Sequence, residues 1–164
     1  MKSKKESMLE VLQDIRDALK SGITVPKVVV SKVINARFTD NGDGTITDKQ
    51  LNVMWIKNPQ EISGFNKSLT FDEAKSACAK LSFAGKSDWR MPTVEELRSI
   101  VDYTRHDPVW DTDVFDGKHD NWYWTSTVCS WKKDAAWCVG SNHGGVSNLG
   151  KLSRTYVRPV RSCQ

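Results

Sequence analysis

Trp122-Tyr123-Trp124-Thr125-Ser126-Thr127, followed by Ala136-Trp137-Cys138-Val139, is the stretch whose reading decides the fold. Aromatic and β-branched residues at this density suit a pleated, half-buried surface, so the first run is predicted to be a strand. Alternation in a core strand accounts for its aromatics more simply than a stacking platform does. The second run makes a ladder with Trp137 and Val139 inward and Cys138 and Gly140 outward. Cys129 and Cys138 flank the candidate hairpin between the runs and are placed to face each other across it.

Upstream, Asn35 to Trp55 reads as short strands and tight turns. Asp40-Asn41-Gly42-Asp43-Gly44 contains the Asn-Gly and Asp-Gly pairs that supply positive φ at hairpins. A calcium loop with Gly44 at its glycine position would put Thr39 first and Gln50 last, where carboxylates are required, so calcium is rejected. Leu51 to Ile56 supplies another strand, with Met54 and Trp55 in the core. Thr70-Phe71-Asp72-Glu73 and Thr93-Val94-Glu95-Glu96 both match the capping box and open two helices. Their apolar stripes are Phe71, Ala74, Ala77, Cys78 and Leu81, then Val94, Leu97, Ile100 and Val101. The carboxylates of these helices are caps and solvated faces rather than a catalytic pair. The acid-rich stretch from Asp107 to Gly117 is built of turn formers, and no metal is assigned to it.

At the N-terminus, Met8, Val11, Leu12, Ile15 and Leu19 recur at helical period, which predicts an amphipathic helix from Glu6 to Ser21. Gly22 is its stop, and an extended stretch runs from Ile23 to Ile34. The stripe either packs on the domain's own core or serves self-association. Residues 1–34 are thus an appendage, and 35–164 a ligand-binding domain. Acidic residues interrupt every candidate signal-peptide core, so synthesis in the cytoplasm is expected, with display on a virion or cell surface only by another route. Cys78, Cys129, Cys138 and Cys163 show no C-x-x-C spacing, against a zinc knuckle or thioredoxin-like site, and reduced thiols are expected.

Composition narrows the classes further. The 164 residues are 38% hydrophobic and 27% charged, which suits one globular domain. No apolar run approaches the roughly 18 residues of a membrane span, so no membrane insertion is expected. A net charge of +4 is too mild to announce a nucleic-acid binder. The charge is unevenly placed, however: Ala36 to Gly117 has ten bases against fourteen acids, and Lys118 to Gln164 seven against two. A basic end favours an acidic partner surface or a sulfated glycan.

Taken together, Asp88-Trp89-Arg90-Met91-Pro92-Thr93 with Glu96-Leu97, Tyr123-Trp124-Thr125-Ser126-Thr127, Ala136-Trp137, and Tyr156-Val157-Arg158-Pro159-Val160-Arg161 resemble the Lcl-type C-terminal domains. The hairpin Arg37 to Thr45 resembles that family as well, and the likeness spans about Ala36 to Arg161. It implies an α+β, C-type lectin-like fold with two helices, short mixed strands and hairpins, to which the N-terminal amphipathic helix is added. More narrowly, the last part is similar to the variable proteins of diversity-generating retroelements, whose framework is kept while adenine-directed changes rewrite the surface between.

That resemblance implies a variable-type region at about 127–157 that meets an unknown macromolecular ligand, protein or glycan. Its candidate contacts are Cys129, Trp131, Cys138, Gly140, Asn142, His143, Gly145, Ser147, Asn148, Leu149, Gly150, Leu152, Ser153 and Arg154. His143, Leu149, Leu152 and Arg154 are the candidate anchors, with Trp131 at the edge of the patch and small polar residues adapting around them. A fixed Lcl-type adhesin domain binding anionic glycans is the alternative. No Ser-His-Asp or metal constellation appears, nor the paired cysteines of formylglycine-generating enzymes. The Glu-Pro-Asn, Gln-Pro-Asp and Trp-Asn-Asp motifs of calcium-dependent lectins are missing too. The expectation is a non-enzymatic binder without cofactor or metal.

Overall fold

The computed structural model describes Gln13, Arg16, Asp17 and Lys20, and then residues 37–118 and 121–163. The chain divides into two compact units, Met1–Thr39 and Asp40–Gln164. In the first, Gln13, Arg16, Asp17 and Lys20 are helical and exposed, and the Arg37 guanidinium lies 4.6 Å from the centroid of the Phe38 ring. The predicted stripe of Met8, Val11, Leu12, Ile15 and Leu19 lies outside the described residues, as does the stretch from Ile23 to Ile34.

Two antiparallel sheets dominate the rest. Strands β1 (Phe38–Asp40), β2 (Thr45–Asp48), β3 (Val53–Ile56) and β7 (Val160–Ser162) form a sheet in the order β1-β2-β3-β7. Strands β4 (Trp122–Val128), β5 (Ala135–Gly140) and β6 (Val146–Gly150) form a second sheet in chain order. The turn before β2 is closed by its own amides. Asp40 Oδ1 accepts from Gly42 N at 2.9 Å and Asp43 Oδ1 from Thr45 N at 3.0 Å, with positive φ at Gly42 and Gly44.

Both capping boxes form as the sequence predicts. Thr70 and Glu73 open α1 (Phe71–Lys80), and Thr93 and Glu96 open α2 (Val94–Ser99). The second helix is shorter than its apolar stripe. Ile100 leaves helical geometry at the cap, and Asp102 N turns instead to the carbonyl of Val109 at 2.6 Å.

The expected α+β, C-type lectin-like class is therefore corrected to one dominated, among the described residues, by two antiparallel sheets, and the amphipathic helix added to it cannot be read from those residues. Strand residues outnumber those of α1 and α2 about two to one, and the two helices are short. The physical reason lies in the aromatic and β-branched runs, which gain burial on both faces of a sheet.

The facing of β5 departs from the expectation at Trp137, Cys138 and Gly140, whereas Val139 is fully buried as expected. Trp124 pairs with Cys138, and Ala136 with Leu149. Trp124 occupies the space against α1, meeting Phe71 edge to face at 5.8 Å and donating its Nε1 to Leu69 O at 2.9 Å. Only small side chains fit beside it, so Ala136 and Cys138 face the core and Trp137 turns to the opposite face.

Candidate functional site

The surface depends on a frame that the last motif seals. Arg158 is fully buried and faces no carboxylate at ion-pair distance among the described residues. Its Nη1 donates to Ile56 O at 2.8 Å and Lys57 O at 2.6 Å, and its Nη2 to Asp116 O at 2.6 Å. The guanidinium also lies 5.3 Å from the ring centroids of Trp110 and of Phe115. Three carbonyls and aromatic faces thus stand in for water around a charge whose pKa burial pulls down. Burial pushes the neighbouring Tyr123 phenol up to about 12, and its hydroxyl donates to Lys118 O at 2.7 Å. Arg161 meets Asp88 through both Nε, at 2.6 Å, and Nη2, at 3.0 Å.

Helix α2 is pinned to β4 just as firmly. Arg90 grips Glu96 with two hydrogen bonds at 2.8 and 2.7 Å. Val94 N donates to Thr127 Oγ1 at 3.0 Å, and Ser126 N to Pro92 O at 2.7 Å. Between α2 and the outer face of the second sheet this leaves a groove of about 560 Å³. Its helix wall is Val94, Glu95, Arg98 and Ser99, and its sheet wall is Thr127, Trp137 and Val146.

Trp137 carries the groove toward the β4–β5 turn. Its ring meets that of Trp131 edge to face at 5.4 Å, and Trp131 remains 68% exposed. Lys132 and Lys133 follow on the same turn, both exposed and without an ionic partner among the described residues. At the other end, Val146 follows the β5–β6 turn, where Gly144 stands at φ +68°. A Cβ there would come within 2.5 Å of Val101 Cγ1 and 3.1 Å of Tyr103 Cε1, so only glycine fits. Tyr103 itself is 65% exposed.

Residues 44–161 match the family described as the Lcl C-terminal domain. The chain belongs to that family. No curated protein matches it. Within this Lcl C-terminal domain the matched region contains both sheets from β2 onward, the Arg158 frame and the whole groove.

The sequence-predicted contacts are distributed rather than gathered. Cys129 and Cys138 are buried, against the outward placement expected of Cys138, whose Sγ donates to Ser147 O at 3.3 Å. Burial pushes the Cys138 thiol up to about 12, so it stays protonated at neutral pH. All four cysteines are free thiols, and Cys129 and Cys138 are not joined. Gly140 is buried beneath Trp122, whose ring would lie 3.5 Å from a Cβ there.

Asn142, His143 and Gly145 occupy the β5–β6 turn, with His143 and Gly145 exposed. Ser147, Asn148, Leu149 and Gly150 form β6 and are half-buried, and Leu149 packs on the core. Leu152, Ser153 and Arg154 are exposed beyond β6, Leu152 at 91%. Because Lys151 N donates to Asp134 O at 2.8 Å, that turn lies at the same end of the sheet as Trp131. The Asn142–Gly145 turn lies at the opposite end.

The basic end contracts as well. Arg158 and Arg161 are internal, Arg154 pairs with Glu73 at 3.0 Å, and Lys151 lies 5.1 Å from the Phe71 ring centroid. Sequence reasoning missed the helix wall of the groove and Tyr103. Glu95 and Arg98 were readable only as the polar side of a helix, and their value as a wall comes from how α2 is pinned over β4.

Proposed function

We propose that this Lcl C-terminal domain is a non-catalytic, adhesin-type binding module whose ligand is an anionic polysaccharide lying along the α2 groove. The observation that supports it is Trp131: an exposed ring braced by Trp137, which lines the groove, and followed by two lysines with no ionic partner among the described residues. A flat ring offers a sugar face a stacking surface at little entropic cost, and lysines attract sulfate or carboxylate groups. The fixed frame around Arg158 and Arg161 holds that surface in place without lending it charge. Such a role requires display on an outer surface.

Titration calorimetry with a sulfated polysaccharide and its desulfated counterpart tests the reading. The sulfated form is expected to bind, and Trp131→Ala to weaken binding by about 2 kcal/mol, roughly thirtyfold in Kd. Equal binding of both forms, or full affinity in the variant, would sink the proposal.

A second reading rests on the turns. Asn142, His143, Gly145, Leu152, Ser153 and Arg154 sit on turns at the two ends of a braced sheet, where exchange of side chains leaves the core intact. This is what a retroelement-diversified binder needs, with a protein or glycan as ligand. The locus decides: a near-repeat of the gene's 3′ end differing at adenines, beside a reverse transcriptase, supports it, and an intact locus without them excludes it.

A further inference from the structure

Four buried side-chain nitrogens have no hydrogen-bond partner among the described residues: Trp55 Nε1, Gln60 Nε2, Trp110 Nε1 and Arg158 Nε. All four belong to the surroundings of the Arg158 guanidinium. The Trp110 ring lies against that guanidinium and meets the Tyr123 ring edge to face at 5.1 Å. Phe115 is the other aromatic wall, and the Trp55 ring meets it edge to face at 6.3 Å. Gln60 arrives from the short 3₁₀ turn Pro59–Glu61, and a Cβ on Gly117 would press on both its Oε1 and Arg158 Nη2. Gln60 and Arg158 also both bear on the Tyr123 hydroxyl, each drawing its pKa down against the larger effect of burial.

Buried N–H groups without a partner are rare in folded chains, and several in one place need a common explanation. Their chemistry is of one kind. Indole and guanidinium N–H groups donate and cannot accept. The Gln60 amide is fixed the same way round, because its Oε1 accepts from Lys118 N at 2.9 Å and Nε2 is the end without a partner. A water among these donors would accept two of them and then have two protons of its own to place. No buried side-chain oxygen among the described residues lacks a partner and so stands ready to receive them. The ligand that fits is an acceptor without protons. Arg158 sets its charge, because the guanidinium has no carboxylate at ion-pair distance among the described residues and one negative charge balances it. The carbonyls of Ile56, Lys57 and Asp116 already face the guanidinium and would repel a second. We infer that the Arg158 enclosure is a binding site for a small monovalent anion of the halide class, held by Trp110 Nε1, Gln60 Nε2 and Arg158 Nε.

Such an anion acts on the frame rather than on the groove. It neutralises a charge that the fold seals from water, where an unpaired ion is costly. Chloride then stabilises the domain by binding, while the same salt screens the exposed lysines, so salt tightens the frame and loosens a charged ligand. The site does not depend on the proposed polysaccharide, and the groove reading stands or falls without it.

Differential scanning calorimetry on the full chain, without polysaccharide, tests the site as sodium chloride replaces sodium gluconate at constant ionic strength. Tm is expected to rise and level off, by roughly 8 °C once chloride reaches a hundredfold excess over its Kd. Trp110→Phe and Gln60→Leu each keep most of the side chain's bulk and remove one donor. Each is expected to fold with the parent's circular dichroism spectrum and to lose most of the chloride-dependent rise. In crystals of the parent chain soaked in bromide, the anomalous signal is expected within hydrogen-bond reach of Trp110 Nε1 and Arg158 Nε. A Tm indifferent to chloride, a full rise in either variant, or bromide found only at the surface overturns the inference.

Discussion

Arg158 and Lys132 carry the same formal charge and lie in the same last third of the chain, yet their surroundings are opposite. Arg158 is enclosed by three carbonyls and the rings of Trp110, Phe115 and Tyr123. Lys132 projects from a turn beside Trp131 with no ionic partner among the described residues. A count of basic residues treats them alike and so overstates the charge available to a ligand. The comparison shows that binding surface and framework are interleaved along the sequence, with the chemistry of each position set by what the fold packs around it.

Removing the sealed arginine should have the largest effect. Arg158→Met keeps the bulk but removes the donor to the carbonyls of Ile56 and Asp116, while Lys57 O keeps only the Asp116 amide at 3.1 Å. At about 1–3 kcal/mol for each orphaned group, with some relaxation, a loss of about 3 kcal/mol or more is expected. For a chain of this length that lowers Tm by roughly 10 °C. Differential scanning calorimetry reads it, and a Tm within error of the parent would mean that the aromatic enclosure, not the hydrogen bonds, holds the frame.

The paired arginines should give an intermediate, pH-dependent effect. Desolvation raises the Glu96 pKa, but the Arg90 hydrogen bonds and the Thr93 amide outweigh it, and the net shift is downward from 4.5. The hydrogen bond from Arg161 lowers the Asp88 pKa from 3.8. A carboxylate with a depressed folded-state pKa contributes its stabilisation above the unfolded value and loses it as pH falls through the folded value. Stability is therefore expected to be level near neutrality and to decline from about pH 4.5 downward as these pairs protonate. Glu96→Gln should be less stable at pH 7 and show a shallower decline between pH 5 and 3, as followed by urea unfolding. An unchanged slope would remove this pair from the acid response.

Much of this frame was legible in the sequence. The capping boxes at Thr70 and Thr93 form, the Asp40–Gly44 turn forms, and the motifs around Trp89, Trp124 and Tyr156 identify the family. The face that Trp137 takes was not legible. Alternation fixes which residues share a face but not which face meets the core, and the volume of Trp124 against α1 made that choice. Helix α2 also stopped short of its apolar stripe, because the chain bends to reach Val109. The groove went unread for the same reason: it lies between elements nearly thirty positions and more apart in sequence, and no local pattern records that meeting.

The smallest effect on stability, and the sharpest test of the contrast, belongs to the free lysines. Lys132→Ala with Lys133→Ala removes two exposed charges that have no ionic partner among the described residues, so unfolding free energy should change by less than about 0.5 kcal/mol. Affinity for a sulfated polysaccharide should nevertheless fall, by roughly fivefold at low salt if each exposed contact contributes about 0.5 kcal/mol. The remaining affinity should depend less on ionic strength than the parent's, since screening acts on charges that the variant lacks. Calorimetric titrations at two salt concentrations make the comparison. If the double variant keeps the parent's salt dependence, the charge that meets the ligand lies elsewhere, and Arg98 on the helix wall is the next residue to replace.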